Sequence, residues 1–455
     1  MATDEPAAQV RVYAHGEPVV ELPPGAPGCE LVRRLASGAH PPRVRSADVM
    51  KEAERLGFVT RIPGPRGHMT VLPRAHFLER CVDAFAQRHR DRIGAVELTF
   101  PLVYDHAHAD LAELTSHYEG RTQVFALGGA DAQLRLAYAA DPGLLGWLRG
   151  RRLVPAALPY VISSPGPVFR RWMSGQLGDL DHLMQYPLSD LHMLARDGTQ
   201  ARELARRHFV EAAADLRVWV GDDWAGFVDA TAEFLAAWPD IGRELSLLLE
   251  RPFVVRTLPR QPRYYAMRAG LTADAGYADV MLYNLQWDEE NPQRFDVRLA
   301  TGEHPVLLHG NLVTGWPLLL PIMLGRGLAD LGPRAIPPEL SPCSLRVLPI
   351  RAELGAVARA WIDTHAPAVR AEIDLDGELT TRIRRSASAW EPWVVVLGPR
   401  ELDGQADARV QGPFAAEKES WRAALARRSA WLQRAAPISF GRADPPPFAP
   451  PVRNR

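Results

Sequence analysis

The sequence predicts an α+β protein in two parts, and three observations carry that prediction. First, residues 159–193 read as two strands joined by a long polar loop: one ends at Phe169-Arg170, the other closes on Ser189-Asp190-Leu191-His192. Second, stretches with apolar residues at helical spacing surround this hairpin. Third, strand and helix patterns alternate after Pro337-Pro338, which implies a small, mainly parallel sheet covered by helices. Short loops dominate hairpins, so a long one ordinarily serves a purpose. An arginine at its mouth and Asp and His at its exit suit an anion and an amino group. A decorated surface hairpin with one buried histidine fits the same residues.

In chain order, residues 10–23 alternate as a hairpin turning at His15-Gly16, with a helix at Glu30–Leu35. Ala47–Leu56 is a short amphipathic helix. Arg74–Arg90 carries Phe77, Leu78, Cys81, Val82 and Phe85 at helical spacing, and Ala95–Leu102 reads as a strand. His106 and His108 follow; they suit either a metal or a solvated loop before a helix cap at Asp110. Gln123–Leu127 reads as a strand. Gly198–Val218 and Trp224–Trp238 are helical patterns, while Arg263–Ala269 and Tyr277–Trp287 are strands. Beyond Pro338 the expected elements are strands at Leu345–Pro349, Arg370–Asp374 and Trp393–Leu397, and helices at Glu353–His365 and Leu379–Ala387. A proline-rich tail follows Asp444.

Composition excludes several classes. A net charge of −1 advertises no strongly basic nucleic-acid surface. No Walker A pattern is present, and Lys51 and Lys418, the only lysines, lack surroundings that suggest Schiff-base chemistry. Cys29, Cys81 and Cys343 are far apart and odd in number, with no Cys-x-x-Cys pair. With no leader or long apolar span in view, the expected place is a reducing cytoplasm, with no membrane partner.

The hairpin carries a resemblance. Val168-Phe169-Arg170-Arg171-Trp172 and Asp190-Leu191-His192-Met193-Leu194 resemble, without a gap, the Val-His-Arg-Tyr-Glu and Asp-Ala-His-Ile-Phe strands of motif 2 in class II aminoacyl-tRNA synthetases. The threonyl-tRNA synthetases are the most similar. The long helix, strand and Pro101 resemble motif 1, which builds a dimer interface in that family. Gln286-Trp287-Asp288 resembles its Gln-Leu-Asp segment, and Pro305–His309 the strand into motif 3. Arg346–Ile350, Arg382-Ile383-Arg384 and Gly398–Glu401 are similar to its anticodon-binding domain. The resemblance covers roughly residues 55 to 435. It implies a class II synthetase-like antiparallel sheet flanked by helices over 46–338, then an anticodon-binding-like α/β domain over 339–440. Residues 1–45 resemble the opening of a β-grasp module too short to finish, and 441–455 form the tail. The large N-terminal editing domain of bacterial relatives is not expected within these residues.

For the site, the resemblance implies that Arg170 neutralises the α-phosphate of ATP, and that Asp190 and Gln286 hold the amino acid. His192 and His309 match two zinc-binding histidines. Setting Gly128–Ala132 against the family's Lys-Pro-Met-Asn-Cys puts Ala132 at the third ligand, with Asp131 as the nearest carboxylate. Zinc on Asp131, His192 and His309 and a dry pocket of two hydrogen-bonded histidines both remain open. Where motif 3 has Gly-Ser-Leu-Glu-Arg, this chain has Thr314-Gly315-Trp316-Pro317-Leu318, and a leucine cannot neutralise a phosphate. Trp172, His182 and Met184 replace three more charged residues. Losing one such contact typically costs about a hundredfold in rate, which argues against ordinary use of ATP. The expectation is therefore a divergent paralogue that recognises an amino acid or aminoacyl compound in specialised metabolism or regulation. A non-catalytic regulatory subunit and an atypical threonine–tRNA ligase are the alternatives. A homodimer and tRNA are the implied partners, with Glu401 and Arg382 as RNA contacts, though arginines on a helix also suit a solvated face.

Overall fold

A computed structural model of the chain describes residues 9–38, 42–62, 67–119, 124–128, 133–172, 180, 182–259, 264–312 and 315–435. Two compact units divide it. Residues 1–46, 63–68 and 86–322 form the first, and 47–62, 69–85 and 323–455 the second.

The first unit is built on one ten-stranded sheet. Its strands are β1 (Gln9–Ala14), β2 (Glu17–Val19), β3 (Val96–Glu97), β4 (Tyr160–Phe169), β5 (Gln185–Ala195), β6 (Trp224–Thr231), β7 (Phe253–Leu258), β8 (Met267–Asp274), β9 (Asp279–Asp288) and β10 (Val306–Leu312). They lie in the order β2-β1-β7-β6-β8-β9-β10-β5-β4-β3. All pairs are antiparallel except β6 with β7 and β3 with β4. This is the predicted class II-like sheet, and its long-loop hairpin is β4–β5, paired from Tyr160–Leu194 to Phe169–Gln185.

Helices used below are α1 (Cys29–Ser37), α2 (Ser46–Arg55), α3 (Pro73–Ile93), α4 (Ala109–Glu119), α5 (Asp141–Leu148), α6 (Gly198–Val220), α7 (Ala232–Ala237), α8 (Ile241–Leu249) and α9 (Glu290–Arg294). Asp197 caps α6 by accepting a hydrogen bond from the Gln200 N–H at 2.8 Å. Helix α6 then packs against β5 and β10 and buries Leu204, Ala205, His208, Ala212 and Leu216. Among the described residues no helix is long and apolar enough to cross a membrane.

Two expectations are corrected here. Residues 9–37 do not start a separate β-grasp module: β1 pairs with β7 from Gln9–Thr257 to Tyr13–Phe253 and so extends the main sheet. Helix α1 packs Leu31 and Val32 against Ala225, Phe227 and Val254. The predicted helix Trp224–Trp238 is instead strand β6 followed by the short α7. Every residue from Trp224 to Val228 is buried, and an apolar run buried on both faces has no period that separates a central strand from a helix.

The second unit holds a four-stranded sheet of β11 (Leu345–Pro349), β12 (Ala371–Ile373), β13 (Trp393–Leu397) and β14 (Val410–Gln411), in the order β12-β11-β13-β14. The first three strands are parallel, as the alternating pattern implied. Trp361, Trp393 and Trp421 fill its core. The predicted boundaries at 46 and 338 do not follow the compact units, because residues 47–62 and 69–85 belong with the C-terminal sheet. Arg55 donates to the Ser388 carbonyl at 2.7 Å and Arg74 to the Ala389 carbonyl at 3.3 Å. The Arg370 guanidinium lies over the Phe77 ring. The tail from 436 onward lies outside the described residues.

Candidate functional site

One row of facing residues crosses four strands. His192 on β5 is opposite His309 on β10, His309 opposite Gln286 on β9, and Gln286 opposite Arg268 on β8. Residues in such a row share a face of the sheet, and all four line a cavity of about 540 Å³. Arg170 from the end of β4, Asp190 from β5 and Asp141 from α5 line it too.

Asp141, His192 and His309 form the densest part. Each offers one ligand atom, and the three atoms lie within 4.8 Å of one another. Asp141 is in the first turn of α5, directly before Pro142, where a helix N-terminus favours a negative charge. Its Oδ1 is 2.8 Å from His309 Nδ1 and 3.8 Å from His192 Nε2. The first approach is close but off the hydrogen-bond direction, so it is an ion pair that leaves His309 Nδ1 without an aligned partner. On its other side, His309 Nε2 meets Asp288 Oδ2 at 2.8 Å. Asp288 is itself held by the Glu290 and Asn291 backbone N–H groups and the Asn291 side chain at the start of α9.

Burial opposes charge on His309, yet Asp141 and Asp288 together push its pKa up to about 10. Burial would likewise raise Asp141, but His309 and His192 hold it well below the usual carboxylate range. Neighbouring Asp190 goes the other way: burial, then the Asp141 charge, raises it. Asp190 accepts a 2.7 Å hydrogen bond from the Ala140 N–H, which ties β5 to the start of α5.

This donor set fits a zinc-type ion. Tetrahedral zinc with bonds of roughly 2.0–2.1 Å keeps its ligand atoms about 3.3 Å apart. The 2.8 and 3.8 Å separations found here need shifts of only about half an ångström to reach that spacing. An ion between them would also engage the orphaned His309 Nδ1. Asp288 would fix the ring from its far side, as carboxylates behind metal-binding histidines do.

Arg170 donates through Nε to the Tyr138 carbonyl at 3.1 Å and lies over the Tyr186 ring. Burial works against its charge; Tyr186, Tyr118, Asp190 and Asp141 outweigh it and hold it protonated. Leu318 also lines the cavity. Trp172, which donates to the Leu183 carbonyl, meets His182 edge-on at 4.6 Å between ring centres, and both face the same cavity. Aromatic and aliphatic groups thus occupy the side where charged residues were looked for.

Asp190, His192, Gln286, His309 and Arg170 therefore come together. Asp131 lies outside the described residues, as does Ala132. The carboxylate found beside the two histidines is Asp141, which sequence reasoning passed over. Its one signal was an Asp-Pro-Gly at a helix start, where an aspartate ordinarily reads as part of a cap. Arg268 was passed over as well. His106 and His108 gather no further metal-ligating groups among the described residues. One RNA contact is corrected. Arg382 is only 3% exposed and donates to the Pro349 and Asp374 carbonyls, so it ties the second unit together and cannot reach a phosphate. Glu401 accepts from the Gly398 N–H and caps its own helix.

No family model matches the chain. The threonine–tRNA ligase of Pyrococcus furiosus is 25% identical over 392 residues, covering 82% of this chain and 61% of that protein. That of Methanoculleus marisnigri is 25% identical over 381 residues, covering 80% and 60%. The chain thus spans about three fifths of the length of the curated relatives it matches. Among solved structures, the RNA binding domain of threonyl-tRNA synthetase from Cryptosporidium parvum superposes with a TM-score of 0.66 at 16% identity, over 84% of this chain and 97% of that one. Giardia lamblia prolyl-tRNA synthetase in complex with prolyl-adenylate gives 0.66 at 13% identity, over 87% and 82%. The chain is thus similar in sequence to threonine–tRNA ligases, and its fold is that of the class II aminoacyl-tRNA synthetases.

Proposed function

We propose that the cavity binds a free amino acid or an aminoacyl compound, and that the chain serves specialised metabolism or regulation instead of ordinary tRNA charging. The observation that carries this reading is the company of Leu318: it shares one cavity with Arg170, Asp190, His192, Gln286 and His309. Groups suited to a zwitterion are in place, while the position where the resemblance sets a second phosphate-binding arginine is aliphatic. In this reading Arg170 pairs with the ligand's carboxylate. Asp190 accepts from its ammonium or hydroxyl group, and Gln286 supplies an amide. Trp172, His182 and Leu183 at the rim exclude water from that pairing, which strengthens it.

Zinc belongs to the same proposal, held by Asp141, His192 and His309. When bound it would supply a Lewis-acid seat for an amine or hydroxyl. Elemental analysis of the purified protein is expected to find about one metal per chain, lost on His192→Ala or His309→Ala. Protein that folds with no metal and binds threonine as well after these changes would remove zinc from the reading.

Threonine-dependent ATP–pyrophosphate exchange tests the whole. Calorimetric amino-acid binding with negligible exchange is the expected result, and Leu318→Arg is expected to raise ATP affinity. Robust exchange by the unaltered protein would overturn the proposal in favour of a second reading, an atypical threonine–tRNA ligase. The names of the sequence relatives favour that second reading, and tRNA charging in vitro measures it directly. A homodimer is the expected assembly, to be read by sedimentation.

A further inference from the structure

The amino-acid reading leaves one cation of the cavity without a role. Arg268 closes the His192–His309–Gln286 row, and its Nε is buried with no hydrogen-bond partner. Its Nη2 meets nothing more polar than the Met281 sulfur, at 3.3 Å. Asp229, the next residue in the row, is taken by Arg256 through bonds of 2.5 and 2.8 Å. Among the described residues no carboxylate pairs with Arg268, so its guanidinium faces the cavity as a fork of donors with no counter-charge of its own. Resting on the amino-acid reading, we infer that Arg268 seats a second anionic group of the ligand, a carboxylate or a phosphate, beyond the carboxylate that Arg170 takes.

The N-terminal segment positions that cation. Arg268 lies over the Phe227 ring at 5.6 Å and against Met281, and both belong with the cluster that Leu22, Leu31 and Val32 bury. The fit needs a glycine at 270, where a Cβ would lie 2.7 Å from Phe227 Cε1 and 2.8 Å from Met281 Sδ. From α1, Arg34 grips both ends of the β8–β9 turn, donating to Asp279 at 3.0 and 3.1 Å and to Asp274 at 2.7 Å. The Arg43 and Val44 N–H groups hold the Gly276 carbonyl of the same turn. Asp279, Val280 and Met281 line the cavity, so Leu22, α1 and the Arg43-Val44 backbone back that wall. Arg34 is a positioning residue, acting through Met281 on Arg268.

Calorimetry with matched ligand pairs tests this on the full chain: glutamate against glutamine for a carboxylate, and O-phosphothreonine against threonine for a phosphate. At least one anionic member is expected to bind about tenfold tighter than its neutral partner, and the pair that does so identifies the group. Arg268→Met is expected to erase the preference while the neutral member still binds, and Arg268→Lys to keep most of it. Arg34→Met is expected to shrink the ratio of anionic to neutral affinity, with partial rescue by Arg34→Lys; general loosening of the fold would weaken both members alike. Equal binding within both pairs, or a preference that survives Arg268→Met, overturns the inference and leaves the amino-acid reading standing. Failure of all four ligands to bind removes both.

Discussion

Two histidine pairs occupy opposite faces of the same strands. His192 and His309 face the cavity, and His89 of α3 and His208 of α6 pack against the reverse face. In both pairs the ring centres are 5.1 Å apart. Gly310, next to His309 on β10, separates them: a Cβ there would lie 3.5 Å from His208 Nε2, on the face turned from His309. Both pairs are buried, yet His309 is shifted in the opposite direction from His89 and His208. His309 stands between Asp141 and Asp288 and is pushed up to about 10. Burial lowers His208 to about 4 and takes His89 well below its ordinary value. The carboxylate nearest His89 is Asp215, 4.0 Å away, which burial itself raises to about 7. Burial, helped at His89 by neighbouring His208, Arg92 and Arg90, thus makes a histidine pair a neutral packing unit. Two well-supported carboxylates, one fixed by a helix start and one by backbone N–H groups, turn the same pair into a charged centre that suits a metal or an amino acid.

The sharpest way to break the contrast is to remove a carboxylate from the charged pair. Asp288→Ala is expected to cost about 3–5 kcal/mol in chelator-treated protein, the range for stripping one partner from a buried ion pair. It also frees two N–H groups at the start of α9. Chemical denaturation measures it, and a loss below about 1 kcal/mol would mean that His309 is not charged in the folded state.

The pairs should next separate by pH. His309 is raised in the folded state, so the stability it lends is full below about 6.5 and is lost as pH climbs through 10. His208 is lowered, so its share is full above about 6.5 and is lost as pH falls through 4. His309→Gln is expected to flatten the alkaline limb of stability against pH in metal-free protein, and His208→Leu the acid limb. The acid-limb change should reach up to about 3 kcal/mol, from the shift of His208 at roughly 1.4 kcal/mol per pH unit. If one substitution moved both limbs, the two faces would not be independent.

How much of this was legible in the sequence follows the same division. Asp190, His192, Gln286 and His309 lie on long strands, where a period of two fixes which residues share a face once register is known. The motif-2 hairpin supplied that register. The small C-terminal sheet was legible for a similar reason, since its strands and helices alternate with clear boundaries. Asp141 was not, because its partners are 51 and 168 residues away and its own surroundings are those of a helix start. Nor was the fate of the N-terminal strands: β1 pairs with β7 some 240 residues on, and a hairpin's local pattern carries no sign of which sheet it will join. The reverse-face pair was invisible too, because His89 and His208 sit at helix positions that read as ordinary amphipathic spacing.

The smallest effect isolates how the neutral face tolerates Asp215. Tyr283 donates to Asp215 Oδ2 at 2.8 Å and opposes the burial that raises this carboxyl. Asp215 therefore lends its full stability below about 3.8 and loses it as pH rises through 7. Tyr283→Phe removes one neutral hydrogen bond at pH 5, an expected cost of about 1 kcal/mol. At pH 8, where Asp215 is mostly ionised, the lost bond is charge-assisted and the cost should rise to about 2 kcal/mol. Asp215→Asn keeps an acceptor for Tyr283 but cannot ionise, and in that background the cost of Tyr283→Phe should no longer change with pH. A cost of about 2 kcal/mol at both pH values in the Asp215 protein would place the carboxylate's titration below this range and would leave His89 with a charged neighbour after all.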